Sequence, residues 1–388
     1  MKPAISIKKV RSFMICVLIL SVFITGFHLL SILPFRGEAT YLTTLDKGLF
    51  KAEATNRGET PFAVSKIVRF IAPFHIVDSD LLDMNTLAFT SSNPEAKNLV
   101  QTGIYDLSTN LLSYEFDKQN QITESKISIS NDGKLILATY ESKEGGLSKT
   151  YVYDAATNKK LSIFNGVFAA EWLPDNIRFV GMDDYLFIQD IKTGMRENIL
   201  KISDYAGKLP NLFFDLKLLK DGQTAGIFYN SIGTTHVLKV DINTKNPMKQ
   251  TLNGQLHYAF PIDNKALAVV GQFNNRYGIY LYDITNNSLE LLIDLTNQKL
   301  LDISISQDGK KIAYSVMNMD TGWYGIEVHA AYLDHNQVTS NEVVYKDLNH
   351  FVDKLLWTKD SQMLYCFQRN TNDTTIFRIL FKNVLNSK

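Results

Sequence analysis

The feature that most constrains this chain is a repeat with a period near 45 residues. Two stretches, ISISNDGKLILA from residue 127 and ISISQDGKKIAY from residue 303, are nearly the same. Each places an Asp-Gly pair, Asp132-Gly133 and Asp308-Gly309, between two runs in which apolar and polar residues alternate. Asp-Gly tolerates the positive φ of a tight reversal between strands. Both stretches therefore predict β-hairpins, with these four residues as structural turns.

Weaker copies of the same turn recur along the chain. The turn aspartates are spaced 42 to 52 residues apart and are Asp132, Asp175, Asp221, Asp263, Asp308 and Asp360. A second marker follows later in each unit, as in Tyr153-Asp154 and Tyr282-Asp283, and predicts a second hairpin. Each unit then holds three to four strands, and a period of this length indicates stacked or radial units.

Four-stranded units with almost no helical stretches predict an all-β fold, a β-propeller of about seven blades, with six or eight remaining open. Immunoglobulin-like units would need about 100 residues each, and leucine-rich repeats 20 to 29. The predicted blades are residues 74–120, 121–166, 167–206, 207–254, 255–298, 299–349 and 350–384. The last has only three strands, so the run from Phe62 to Ile71 is expected to add the fourth and close the ring.

The stretches Ser306 to Tyr314 and Ser130 to Ala138 resemble the repeats of TolB-like propellers and of the broader tryptophan-aspartate repeat class. Trp172, Trp323 and Trp357 are not followed by Asp, so the Trp-Asp pair of the eukaryotic repeat is missing. The resemblance implies a bacterial, membrane-anchored propeller whose fold commonly serves as a scaffold for protein contacts.

The N-terminal region predicts a membrane anchor. Residues Ser12 to Leu33 carry no formal charge, and at about 1.5 Å per residue they would form a helix of roughly 33 Å, enough to cross a bilayer. Basic residues precede this run at Lys2, Lys8, Lys9 and Arg11, which places the N-terminus in the cytoplasm. A cleaved signal peptide is the alternative, although Pro34-Phe35-Arg36 stands where small residues would be needed.

This gives four segments: a cytoplasmic tail (1–11), a transmembrane helix (12–33), a stalk (34–62) and an extracytoplasmic propeller (63–388). The 40 basic and 40 acidic side chains balance, which gives no support for a nucleic-acid partner. No nucleophile elbow, zinc spacing, calcium loop or phosphate loop is recognisable in the sequence. We therefore expect no catalytic residue, no metal and no cofactor.

The leading functional hypothesis is a non-enzymatic scaffold that binds a protein or a cell-envelope component. The insert from Met317 to Gly325 makes Trp323 and Tyr324 the candidate partner-binding residues. The alternative is a propeller enzyme or small-ligand sensor with its site in the central channel. Clustered channel carboxylates with shifted pKa values would favour that alternative, whereas an exposed aromatic patch on one face would favour the binding module.

Overall fold

The computed structural model describes residues 61–93, 99–116, 122–142, 148–206, 214–318, 325–334, 337–347, 350–370 and 373–382. The predicted transmembrane helix (12–33), almost all of the predicted stalk, and Trp323 and Tyr324 lie outside these ranges. Within the described ranges, no helix is both long enough and apolar enough to span a bilayer.

The described chain forms seven antiparallel four-stranded sheets, the blades. Blade 1 contains β2 (His75–Leu81), β3 (Thr86–Asn93), β4 (Leu99–Asp106) and β5 (Leu111–Phe116). Blade 2 contains β6 (Ile122–Ile129), β7 (Leu135–Ser142), β8 (Lys149–Asp154) and β9 (Lys159–Asn165). Blade 3 contains β10 (Ala169–Trp172), β11 (Arg178–Met182), β12 (Tyr185–Asp190) and β13 (Arg196–Lys201), and the short helix α1 (Ser203–Ala206) follows it.

Blade 4 contains β14 (Phe214–Leu218), β15 (Thr224–Ser231), β16 (Thr234–Asp241) and the first half of β17 (Pro247–Pro261). Blade 5 contains the second half of β17, then β18 (Ala266–Phe273), β19 (Arg276–Asp283) and β20 (Ser288–Asp294). Blade 6 contains β21 (Gln298–Ile305), β22 (Lys311–Asn318), β23 (Ile326–Asp334) and β24 (Gln337–Asp347). Blade 7 contains β25 (Val352–Trp357), β26 (Met363–Arg369), β27 (Thr374–Phe381) and β1 (Val64–Ala72).

The blades form a closed ring. The first strand of each blade contacts the first strand of the blade before it and of the blade after it, and β25 contacts β2. These first strands are therefore the inner strands and surround a common central channel. The predicted β-propeller is confirmed, and the preferred number of seven blades agrees with the seven sheets.

Strand β1 completes blade 7 from the N-terminal side of the domain. It pairs antiparallel with β27, from Val64 opposite Phe381 to Ala72 opposite Thr374. Just before β1, the buried ring of Phe62 packs against Tyr332 of blade 6, with ring centroids 4.7 Å apart. The strand expected from the run Phe62 to Ile71 is thus present, and it covers an edge that would otherwise be open.

One connection between blades has no loop. Strand β17 is 15 residues long and serves as the outer strand of blade 4 and then the inner strand of blade 5. The change of sheet occurs at Gly254, whose φ is +141°. A Cβ there would collide with the Gln272 carbonyl oxygen, so the bend requires glycine.

The ring has two rims. At the turn rim, the first strand of each blade joins the second and the third joins the fourth, and the repeated aspartates lie here. At the loop rim, the second strand joins the third and each blade leads into the next. Buried side chains between neighbouring blades form the core, for example the cluster of Leu281 in blade 5 with Ile303 and Ile312 in blade 6.

Candidate functional site in the central channel

Charged residues occupy repeated positions on the inner strands. Four of them stand six residues before the turn aspartate of their blade: Lys126, Asp215, Asp302 and Lys354. Asp78 stands five residues before the corresponding aspartate of blade 1, whose turn is one residue shorter. Because the blades repeat, a fixed offset from the turn sets a common height along the channel. Nearer the turn rim, the inner strands carry Asp80, Glu171 and Lys217.

Several channel carboxylates hold the backbone of the next blade. Asp78 Oδ2 accepts a hydrogen bond from the Ile127 N–H of blade 2 at 2.7 Å. Asp302 Oδ2 of blade 6 accepts one from the Leu355 N–H of blade 7 at 2.6 Å. An inner strand has no further strand on its channel side, so such N–H groups need another acceptor. These carboxylates supply it and tie neighbouring blades together.

Lys354 lies at the seam where blade 7 meets blade 1. Its Nζ is 2.8 Å from Asp78 Oδ1. Burial lowers the pKa of Lys354, but the nearby charges of Asp78 and Asp302 more than offset this, so the pKa lies above its ordinary value. Burial raises the pKa of Asp302 to about 7 and also raises that of Asp80. One ammonium group here faces three carboxyl groups.

A second group of charges lies across blades 2, 3 and 4. Lys217 Nζ is 3.3 Å from Asp215 Oδ1 and 3.4 Å from Glu171 Oε1. Lys126 of blade 2 reaches the same Asp215 oxygen at 3.4 Å. Burial raises the pKa of Glu171, whereas for Lys217 the two neighbouring carboxylates outweigh the lowering effect of burial and raise its pKa.

Blade 5 interrupts the ring of charges. Its inner strand carries Tyr258 five residues before Asp263, the same offset that Asp78 has in blade 1. Tyr258 is 52% exposed. The ion pairs separate the channel charges into two groups: the seam cluster, made of Asp78, Asp80, Asp302 and Lys354, and the group around Lys217.

The channel therefore contains clustered carboxyl groups with raised pKa values, the feature expected of a channel site. Each of these carboxylates has an ammonium group or a backbone N–H as its partner: Asp78, Asp80, Glu171, Asp215 and Asp302. Among the residues that the structure describes, no group of three or more His, Cys, Asp or Glu could hold a metal ion. The arrangement can join blades and exchange protons.

The turn residues singled out in the sequence lie on the turn rim, away from these charges. Asp132 Oδ1 accepts hydrogen bonds from Ser130 Oγ at 2.8 Å and from the Lys134 N–H at 3.1 Å. Asp308 is bound in the same way by Ser306 Oγ and the Lys310 N–H, at 2.6 and 3.0 Å.

Gly133 and Gly309 have φ angles of +74° and +72°. Trp323 and Tyr324 belong to the connection between β22 and β23, outside the described residues. The structure thus places the turn residues on the turn rim and leaves the prediction for Trp323 and Tyr324 untested.

Sequence reasoning missed the channel charges. A usable signal existed, because Lys126, Asp215, Asp302 and Lys354 share one offset from the turn. Once the repeat was recognised, charged residues at that offset would have been expected to meet around the axis.

No family model matches the sequence, and no curated protein matches it. Among solved structures, Kuenenia stuttgartiensis hydrazine synthase is similar with a TM-score of 0.56 and 13% identity, covering 86% of this chain and 99% of that one. The β-propeller domain of the Trilobed protease from Pyrococcus furiosus, which has an open velcro topology, has a TM-score of 0.55 and 12% identity, with 79% and 95% covered. A chain of the mitotic checkpoint complex has a TM-score of 0.54 and 11% identity, with 90% and 98% covered. Identities this low show the propeller fold alone.

Proposed function

We propose that this chain is a membrane-anchored, extracytoplasmic propeller that acts as a non-enzymatic scaffold for a protein or envelope partner. The observation that carries this proposal is the exposure of large side chains on one rim, among them the aromatic rings of Phe351 and Tyr205. The channel charges, in contrast, are bound to one another and to backbone N–H groups of neighbouring blades, as Asp302 is to Leu355. Groups used in this way stabilise the ring and leave the rims as the surfaces for contact.

The loop rim is the better candidate for that contact. Ile232, between β15 and β16, is fully exposed. Phe351 and Tyr205 are 53% and 37% exposed on connections at the same rim. Large apolar side chains on a rigid scaffold favour binding to another protein. The expected role of Trp323 and Tyr324 stays part of this proposal, since they connect strands at this rim.

Site-specific photo-crosslinking in the native membrane tests the scaffold. A photoreactive residue at position 232 should give a discrete protein adduct, and replacing both Trp323 and Tyr324 with Ala should weaken it. The matched position on the turn rim is Met195, which is 72% exposed and should give no such adduct. Absence of any protein adduct from position 232 would contradict the scaffold.

The anchor is proposed from residues 12–33 and the basic residues before them. The full-length chain should sediment with membranes, and deletion of residues 1–35 should release folded protein. A mature N-terminus near residue 40 would contradict the anchor and support a cleaved signal peptide. The TolB-like relationship and bacterial origin are proposed on the same footing, from the stretch Ser306 to Tyr314.

A second candidate function is a small-ligand or catalytic site in the channel. It is favoured by the seam cluster, where three carboxyl groups face one ammonium group and Asp302 has a pKa of about 7. A group titrating near neutral pH can donate or accept a proton. Binding of a small cation to the purified chain that is lost in Asp302→Asn would favour this function over the scaffold.

A further inference from the structure

A cavity of about 590 Å³ opens on the turn rim between blades 5 and 6. Its apolar lining includes Ile262, Leu281 and Leu292 of blade 5 and Leu333 of blade 6. The side chains of Leu281 and Ile262 belong to the buried core between these blades, and Leu292 and Leu333 pack against it. The cavity thus has an apolar floor, and its volume is in the range of sites that bind ligands.

The equivalent position between blades 6 and 7 is filled. Phe62 is buried there, with its ring 4.7 Å from Tyr332 and 5.5 Å from Phe381. The Lys311 Nζ lies 5.8 Å from the Tyr332 ring centre and 5.7 Å from that of Trp357. A bulky ring from a segment outside the repeats therefore fits between two blades of this propeller, and an ammonium group lies near two of the rings that surround it.

The repeat makes the two positions comparable residue by residue. In blade 5 the residue that pairs with the first residue of the second strand is Asp283, whereas in blade 6 it is Tyr332. The second strands of blades 6 and 7 begin at Lys311 and Met363, which pair with Tyr332 and Leu380. Leu333 and Phe381 directly follow these two partners, so they occupy matching positions. Asp283 and Leu333 are thus the counterparts in blades 5 and 6 of Tyr332 and Phe381, the two residues that hold Phe62. Among the described residues that line this cavity, Tyr332 is the one aromatic side chain.

The rim of the cavity is acidic. Its lining includes Asp263, Asp308 and Asp334 but only one basic residue, Lys310. Lys220 lies close enough to Asp308 and Asp263 for their charges to oppose the lowering of its pKa by burial. Its ammonium group, however, donates a hydrogen bond to the Gln307 carbonyl oxygen at 2.6 Å. An apolar floor inside an acidic rim is complementary to a bulky apolar side chain with basic neighbours.

We propose that the cavity between blades 5 and 6 is a peptide-docking site, which takes an aromatic or large aliphatic side chain flanked by Lys or Arg from a protein partner. The site rests on the proposed scaffold function and adds a second contact surface, on the rim opposite Ile232. The apolar side chain enters between Leu281 and Leu333, beside Tyr332. The flanking cations lie near the rim carboxylates.

The test uses the full-length chain in detergent and a pentapeptide with photoreactive benzoyl-phenylalanine between two lysines. Adducts mapped by mass spectrometry should fall on the cavity lining. Leu292→Arg, which puts a long cation into the cavity, should reduce them at least tenfold. The matched control is Leu161→Arg, since Leu161 is also on an outer strand and is 51% exposed, and it should leave them unchanged.

Two further measurements test the site if Leu292→Arg fails to fold. Asp334→Asn removes one rim charge and should weaken binding about threefold. A pentapeptide with glutamates in place of the lysines should label the cavity less than the lysine peptide does.

The proposal would be overturned if the adducts fell elsewhere, or if Leu292→Arg folded and left them unchanged. It would also be overturned if the chain's own residues 34–60 or a second copy closed the cavity to the peptide. Adducts from position 232 are read separately. If they persist, the scaffold stands without this site, and if they are absent, the scaffold itself fails.

Discussion

At the scale of single residues, the channel shows how burial changes the role of a carboxyl group. Asp302 accepts a hydrogen bond from Leu355 N–H, yet burial raises its pKa to about 7. Turn aspartates use the same hydrogen-bonding capacity at the surface, where hydrogen bonds from Thr157 lower the pKa of Asp154. Nothing in the local sequence distinguishes the two, because burial depends on the whole ring.

This difference predicts a pH-dependent stability. An unfolded Asp has a pKa of about 3.9, so folding raises the value for Asp302. The stability that the protonated form contributes is complete below pH 4 and is lost as the pH rises through 7. Asp302→Asn should remove this loss, so relative to the native chain it should be more stable at pH 8 than at pH 5 by roughly 2 to 3 kcal/mol.

Urea unfolding at pH 5 and pH 8 measures the effect. Asp154→Asn is the control, because the lowered pKa of Asp154 puts its titration below this range. The same pH dependence in Asp302→Asn and in the native chain would refute the assignment.

The two turn glycines provide a matched pair of substitutions. Gly133 and Gly309 have nearly equal φ angles of +74° and +72°, so alanine is strained at both, by about 1 kcal/mol. At Gly133, the nearest atom to an added Cβ is Lys359 Nζ at 3.7 Å, whereas at Gly309 the Cβ would collide with the Ile262 carbonyl oxygen. Gly309→Ala should therefore lower the free energy of unfolding by at least about 1 kcal/mol more than Gly133→Ala. Equal losses in urea unfolding would show that the neighbouring blade is not where the structure places it.

At the scale of elements, the sequence predicted hairpins well because a turn is a local event. An Asp-Gly or Asp-Asn pair between alternating runs is enough to specify a reversal. The sequence could not show that β17 runs through two blades. The bend depends on Gly254, where a Cβ would collide with the Gln272 carbonyl oxygen of another strand. The ion pair between Lys126 and Asp215, which lie in different blades, also could not be predicted from the residues around either one.

The segment before β1 should contribute strongly to stability. Phe62 is 2% exposed and its ring packs against those of Tyr332 and Phe381. Phe62→Ala should destabilise the chain by about 3 kcal/mol. The same change at Phe351, which is 53% exposed, should stay within about 0.5 kcal/mol. If thermal unfolding shows the two variants to be equally stable, Phe62 does not seal the space between blades 6 and 7.

At the scale of the whole molecule, ring closure connects these observations. The period of the turns predicted radial units, and the missing strand of the last unit predicted where closure would occur. The seam between blades 7 and 1 then places Lys354 beside Asp78, residues far apart in the sequence. The function of the rims was less predictable, because a contact surface depends on which side chains the closed ring leaves exposed.

The pairing of β1 with β27 is the most direct test of this account. Lys66 pairs with Leu380, and Met363 pairs with Leu380 from the other side. In a chain with Cys16→Ser and Cys366→Ala, cysteines at 66 and 380 should form a disulfide, because paired residues lie within its reach. Cysteines at 66 and 363 lie two strands apart, roughly 10 Å, and should not. We predict a fast-migrating oxidised band on non-reducing gels for the first pair only, whereas no disulfide at 66 and 380 in the folded chain would contradict a ring closed by its N-terminal strand.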